Sequence, residues 1–196
     1  MRMFVAVNLT SVVKRELERL SRRLAATGLP VRWVPPGNYH LTLRWLGEQS
    51  DAARPRIVEV LEEAAAGAAP FEIRFGSVGA FPSPRRPRVI WIAIDAGPAL
   101  RVLRDGLERS LAAEGFERDG RSFRPHVTLG RATSDASPGA FRAFAASTPG
   151  LTIDAAVTIR SLDLMRSRVS PGGAQYERLD RLNLGRRTLP PRASRA

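Results

Sequence analysis

Apolar and polar positions along the chain change period several times, and each change marks an element. Residues 3–8 (MFVAVN) form a short apolar run that predicts a buried strand. A helical period follows over 11–27, with Val13, Leu17, Leu20 and Leu24 on one stripe and charges between them. Thr10 or Ser11 is placed to cap its start, and Gly28 to end it. Residues 31–34 predict a strand, PPGN a turn, and YHLTLRWL a second strand. Asp51 is placed to cap another helix, whose apolar face carries Ile57, Val60, Leu61, Ala64 and Ala65. FEIRF at 71–75 alternates as a half-buried strand, and the proline-rich basic PSPRRP at 82–87 is read as the boundary between two halves.

The second half repeats this order. RVIWIAID (88–95) predicts a strand, and Leu100, Leu103, Leu107 and Leu111 form the stripe of a helix. RSFRPHVTL (121–129) reads as a strand interrupted by Pro125, which suggests an edge or a bulge. A short helix near 138–147, one or two strands within LTIDAAVTIRSLDLM, an SPGG turn and an alternating QYERLDRLNL complete the reading. Strand, helix and a histidine-bearing strand therefore occur twice. Shifting by 86 positions carries His40 to His126, Val5 to Trp91 and Leu17 to Leu103, a pattern of internal duplication. The expectation is a single domain over 1–184 with lobes at roughly 1–81 and 88–184, their late strands free to intertwine, and a basic disordered tail over 185–196.

Composition narrows the chemistry. The chain has 196 residues, 43% hydrophobic and 26% charged, as in a folded globular protein. No run approaches the length of a membrane span, and the N-terminus lacks a cleavage signal, so a cytoplasmic location is expected. Cysteine is absent, which removes disulfides, thiolate metal sites and a cysteine nucleophile. The formal charge is +12, carried by 30 arginines and the single Lys14. A positive field of this size favours a polyanionic partner such as RNA, and the arginine fork grips phosphate.

Both histidines stand in one local pattern, His40-Leu41-Thr42-Leu43 and His126-Val127-Thr128-Leu129. With nine threonines in the chain, a Thr two places after each His arises by chance about once in 500. Along a strand, residues i and i+2 share a face, so each motif offers an imidazole and a hydroxyl side by side. Two imidazoles that titrate near neutrality suit paired general acid and base work, and threonine hydroxyls suit phosphate oxygens. Facing each other, the motifs fit in-line hydrolysis of a phosphodiester without a metal. Two histidines alone make a poor metal shell, and no G-x-S-x-G elbow, P-loop or G-x-G-x-x-G is present.

The paired HLTL and HVTL motifs resemble those of the 2H phosphoesterase superfamily. MRMFVAVNL, RWVPPGNYHLTLRWLGE, RVIWIAI, RPHVTLGR and SRVSPGGAQYERL narrow the likeness to the bacterial and archaeal RNA 2′,3′-cyclic phosphodiesterases, also called 2′-5′ RNA ligase-like proteins. That resemblance implies a bilobal α+β fold with two antiparallel sheets around a central cleft and helices outside. It implies hydrolysis of RNA 2′,3′-cyclic phosphate ends to 2′-phosphomonoesters, with no cofactor and no metal, and reversible 2′-5′ ligation by the same groups. It assigns His40 as proton donor to the 3′-oxygen, His126 as the base, and Thr42, Thr128 and Arg131 as phosphate-holding residues. The residues themselves leave the donor and acceptor roles symmetric.

Strict alternation puts Arg44 and Arg124 on the faces of the two motifs and Arg131 on the opposite parity, unless the strand ends at Gly130 and lets it turn back. Trp33, Tyr39 and Phe81 are candidates for stacking a base, whereas Trp45 shares the parity of Leu41 and Leu43 and Trp91 sits in a continuous apolar strand, which places both in the core. The expected partner is RNA with cyclic phosphate ends, without membrane or metal, and the expected state is a monomer. The alternatives are a 2H phosphodiesterase acting on 2′-5′ oligonucleotides or an ADP-ribose cyclic phosphate, and a module that captures RNA ends without turnover.

Overall fold

The structure, a computed structural model, describes residues 1–120, 122–134, 136–137, 139–148, 150–170 and 173–185. The basic tail expected from 185 onward lies outside the described residues except for Gly185, as does part of the SPGG turn. The chain runs β1 (Arg2–Asn8), α1 (Ser11–Ala25), β2 (Val31–Trp33), a 3-10 turn (Pro36–Asn38) and β3 (His40–Glu48). It continues through α2 (Arg54–Ala66), β4 (Phe71–Ser83), β5 (Arg86–Asp95), α3 (Gly97–Ala113) and β6 (His126–Ala132). The last elements are α4 (Arg142–Ser147), β7 (Ala156–Ile159), β8 (Ser161–Ser170) and β9 (Gly173–Asn183).

Amphipathic periodicity accounts for the helices. α1 buries Val13, Leu17, Leu20 and Leu24, and Thr10 accepts from the Val13 amide at its start. Each such side chain contributes about 1.5–3 kcal/mol by leaving water. α3 buries Leu100, Leu103, Leu107 and Leu111 on the expected stripe. Asp51 does not cap α2; it opens a 3-10 turn over Asp51–Ala53 that leads into the helix, whose N-cap position is Ala53 and whose first turn carries Pro55.

Antiparallel pairing joins the strands in the order β7-β4-β5-β6-β3-β1-β8-β9, with β2 also on β6. Two wings are visible in that order. They meet where β3 and β6 pair antiparallel through Leu41 and Val127, so the two expected sheets form one hydrogen-bonded path. Leu41 and Val127 are themselves related by the shift of 86, which puts the pseudo-twofold relation through this pair. The segment at 82–87 is a hairpin inside one wing, pairing Pro82 with Pro87 and Ser83 with Arg86, and is not a linker between halves. β8 and β9 return to the wing of β1 and β3.

Register decides which side chains face the cleft. On β1 and β3, Ala6 pairs with Thr42 and Val5 with Arg44, leaving Leu43 as an extra residue. On β5 and β6, Trp91 pairs with Thr128 and Ile90 with Gly130, leaving Leu129 extra. Both motifs therefore carry a β-bulge at their fourth residue. The counterpart of Trp91 is accordingly Ala6, one residue on from the Val5 expected from a uniform shift. A slip of one residue reverses the face. Val5 is buried among the helices, whereas Trp91 lies half-buried on the cleft side and stacks on Phe81.

Pro125 does not interrupt β6, which begins at the next residue and occupies a central position between β5 and β3. The missing amide of proline falls outside the ladder. Gly130 is required by close approach, since a Cβ there would sit 2.5 Å from Val31 Cγ1 on β2. Among the described residues, no helix is long and apolar enough to cross a membrane.

Candidate active site

β3 and β6 deliver all five expected residues, His40, Thr42, His126, Thr128 and Arg131, to the wall of one cavity of about 620 Å³. The antiparallel contact at Leu41 and Val127 directs each histidine toward the other strand's threonine. Leu41, Leu43, Val127 and Leu129 point the other way, into the core beneath the helices. Arg44 and Arg124 line the same cavity.

The imidazoles are oriented by the backbone just before each motif. His40 Nδ1 donates to the Asn38 carbonyl at 2.7 Å, and His126 Nδ1 donates to the Arg124 carbonyl at 2.6 Å. A proton fixed on Nδ1 leaves Nε2 as the working nitrogen of each neutral ring. His40 Nε2 is 3.0 Å from Thr42 Oγ1. His126 Nε2 has no hydrogen-bond partner among the described residues. Aromatic edges fix both rings: Tyr176 meets His40 at 5.0 Å and Phe81 meets His126 at 5.2 Å, each close to perpendicular.

Burial dominates the electrostatics. It pushes the His40 imidazole down to about 4, against the Asn38 carbonyl, which favours protonation; the charges of Lys14 and His126 lower it further. His126 is also shifted down, by burial first and then by the Arg131 charge, with the Arg124 carbonyl opposing. Without substrate both rings are therefore neutral at pH 7, and each presents a lone pair. An anionic phosphate between them supplies the opposite charge that favours protonation.

Beyond the bulges strict alternation fails for Trp45 and Arg131, and Arg44 reaches the cavity only as part of its buried wall. Arg44 rotates into the wall and is 7% exposed, with Nε 2.5 Å from Glu108 Oε1. Trp45, expected in the core, is 38% exposed on the cleft side and stacks on Phe4. The same switch at Leu129 brings Arg131, the positional counterpart of Trp45, into the cavity while β6 continues to Ala132. It does so through the bulge and not through a strand end at Gly130. Among the described residues no carboxylate pairs with Arg131.

Of the aromatic candidates, Phe81 lines the cavity. Tyr39 is 1% exposed in the core, its hydroxyl 2.8 Å from Ser21 Oγ, so it is closed to a base. Trp33 pairs beside Gly130 on β2 and does not line the cavity. Tyr176 and Lys14 were not singled out by pattern. Tyr176 arrives from β9, far along the chain, although it lies in one of the stretches that carry the family resemblance. Lys14 Nζ donates to the Gly37 carbonyl at 2.7 Å, in the turn whose next carbonyl holds His40. Its only sequence signal was being the single lysine. Behind His40, the fully buried Asp163 accepts from Asn8 Nδ2 at 2.9 Å and Arg181 Nε at 3.0 Å.

A family model described as the 2′-5′ RNA ligase superfamily matches residues 11–171. The chain belongs to the 2′-5′ RNA ligase superfamily. A relative named RNA 2′,3′-cyclic phosphodiesterase from Aeropyrum pernix is 42% identical over 116 residues, covering 59% of this chain and 65% of the relative. One of the same name from Methanothermobacter thermautotrophicus is 27% identical over 175 residues, covering 89% and 94%. Among solved structures, TT0787 of Thermus thermophilus aligns with a TM-score of 0.80 at 27% identity, covering 94% of this chain and 98% of that one. Escherichia coli LigT complexed with 3′-AMP aligns at 0.73 and 23% identity over the same shares, which shows the superfamily fold. The α+β antiparallel architecture of this 2′-5′ RNA ligase superfamily member is thus shared along almost its whole length.

Proposed function

We propose that this protein hydrolyses RNA 2′,3′-cyclic phosphate ends to 2′-phosphomonoesters by paired histidine catalysis without a metal. The observation that carries the reading is the meeting of two His-x-Thr-Leu strands at one pair, with both imidazoles and both hydroxyls on one cavity. The relatives named RNA 2′,3′-cyclic phosphodiesterase support the substrate class. In the proposed step a water oxygen attacks phosphorus in line with the 3′-oxygen. His126 Nε2 takes the water proton, the bond from phosphorus to the 3′-oxygen breaks, and protonated His40 gives its Nε2 proton to that oxygen. The product is a 2′-phosphate and a 3′-hydroxyl. Thr42, Thr128 and Arg131 hold the non-bridging oxygens, so charge is neutralised by groups already in place.

Assignment of His40 as donor follows the family resemblance. Ligation keeps these roles, with an RNA 5′-hydroxyl in the place of water, and cleavage of the resulting 2′-5′ diester interchanges them. Phosphorus NMR on a nucleoside 2′,3′-cyclic phosphate in the presence of EDTA tests the reading. A 2′-phosphate is expected. A 3′-phosphate reverses the leaving oxygen, chelator-sensitive turnover restored by zinc refutes metal independence, and no product on this compound or on a dinucleotide ending in the cyclic phosphate refutes the cyclic-end reading. Product analysis on 2′-5′ oligonucleotides and ADP-ribose cyclic phosphate then discriminates the rival substrates, and tight binding of RNA ends without product would favour a capture module.

A further inference from the structure

The reacting groups occupy one part of the cavity, and a second part is walled by Arg44, Arg104, Asp119 and Phe123. At its base lies a cluster of ionised side chains. Arg44 Nε stands 2.5 Å from Glu108 Oε1, and Arg104 Nη2 reaches the same oxygen at 3.4 Å. Two guanidiniums share one oxygen of this carboxylate, and Asp105 stands 3.7 Å from Arg104 Nη1. The two arginines are not equivalent. Arg44 is engaged by the protein, since its terminal nitrogens donate to the Trp45 and Glu117 carbonyls.

Arg104, whose side chain is 13% exposed, makes no hydrogen bond to any described residue. Its other carboxylate neighbour, Asp105, is 3.7 Å away, its Nε is buried without a partner, and its guanidinium lies 5.3 Å over the Phe123 ring. Buried polar groups are almost always paired, and a guanidinium carries five donors. A cationic fork held by a ring and by two carboxylates at 3.4 and 3.7 Å, without a hydrogen bond to either, fits an anion with several oxygens. In an RNA strand ending in a cyclic phosphate, the next negative charge is the phosphodiester on the 5′-oxygen of the same ribose.

We propose that Arg104 and the Phe123 end of the cavity form a second anion subsite, which takes the phosphate on the 5′ side of the reacting nucleotide. The site deepens the reading of the protein as an RNA-end phosphodiesterase and rests on it. It makes the protein selective for a strand end over a free nucleoside cyclic phosphate. Arg104 acts on the bound strand and not on the reacting phosphorus.

The test compares three substrates: adenosine 2′,3′-cyclic phosphate, the same compound with a 5′-phosphate, and the dinucleotide ending in the cyclic phosphate. The wild type is expected to prefer the two phosphate-bearing substrates by about tenfold to hundredfold in kcat/KM, the worth of charge-assisted hydrogen bonds. Arg104→Gln is expected to bring those ratios toward one, and Arg104→Lys to restore part of them. Loss of Arg104 leaves Glu108 with Arg44, so the buried carboxylate keeps a cation beside it. A wild-type ratio near one, or an equal fall on all three substrates, overturns the subsite. A gain confined to the 5′-monoester overturns its assignment to a strand. Calorimetric binding of adenosine 2′,5′-bisphosphate against adenosine 2′-phosphate reads the subsite independently of turnover. If no substrate is hydrolysed while the bisphosphate binds about tenfold tighter or more in an Arg104-dependent way, the catalytic reading fails and the anion subsite stands.

Discussion

His40 and His126 are held alike from behind and differently in front. Each Nδ1 donates to the carbonyl two residues earlier in the chain. In front, His40 Nε2 meets Thr42 Oγ1, Phe4 and Tyr176 crowd its ring, and Lys14 adds a positive charge. His126 Nε2 is open toward the cavity, with Phe81 on its edge and the Arg131 charge nearby. A duplicated motif therefore supplies two identical reagents, and the unduplicated surroundings make them unequal. The more open ring is reachable by water, and burial disfavours the charged form of the more enclosed ring until an anion is bound beside it.

The largest expected effect is loss of either histidine. His40→Ala and His126→Ala are each expected to lower kcat by about 10² to 10⁴-fold, with circular dichroism spectra like the wild type. Near wild-type turnover in either variant would break the pairing of the two sites. The next effect sharpens their inequality. NMR titration is expected to place His40 at about 4 in the free protein and His126 below its ordinary value, with both rising when inorganic phosphate is added. A ring kept neutral in the fold but free to protonate when unfolded stabilises the native state above pH 6.5. That contribution fades as pH falls from 6.5 toward 4, by at most about 3 kcal/mol. Denaturant unfolding of His40→Asn is expected to lose this part of the pH dependence. A titration midpoint for His40 at or above 6.5 would remove the basis for it.

Thr42→Ala is expected to cost about 10²-fold in kcat/KM and Thr128→Ala less, because Thr42 also holds His40 Nε2. Thr42→Ser is expected to recover most of the loss, and equal effects at the two threonines would contradict the inequality. The smallest effects concern the bulge-directed pair. Arg131→Ala is expected to raise KM about tenfold, as for loss of a charged hydrogen bond, and Trp45→Ala to change it only a few-fold. A larger effect at Trp45 than at Arg131 would mean that the first wing, and not the second, grips the phosphate.

Legibility in the sequence followed the range of the interaction that decides each feature. The stripes of α1 and α3 and the His-x-Thr spacing were readable because helical and strand periods are local. The bulges at Leu43 and Leu129 were not, because an extra residue is defined only against a partner strand. Trp45 was placed on the wrong face for that reason, and Trp91 was assigned to the core because its strand reads as a continuous apolar run. Tyr39 shows a different limit: its position next to His40 suggested the cleft, and its hydroxyl found Ser21 in the core.

By itself, the sequence determined the repeated order of elements, the two catalytic candidates with their threonines, and the family. These depend on residue identity and on spacings of a few positions. Tertiary structure alone decided that β4 joins the second wing and β8 and β9 the first, and that Arg131 turns inward. It also decided that Tyr176 from β9 and Arg104 from α3 share a cavity with the histidines. Those outcomes come from competition between strands far apart in the chain for hydrogen-bonded neighbours. The unequal histidines follow from the same cause, since burial and neighbouring charge are properties of what the fold brings near and not of the motif.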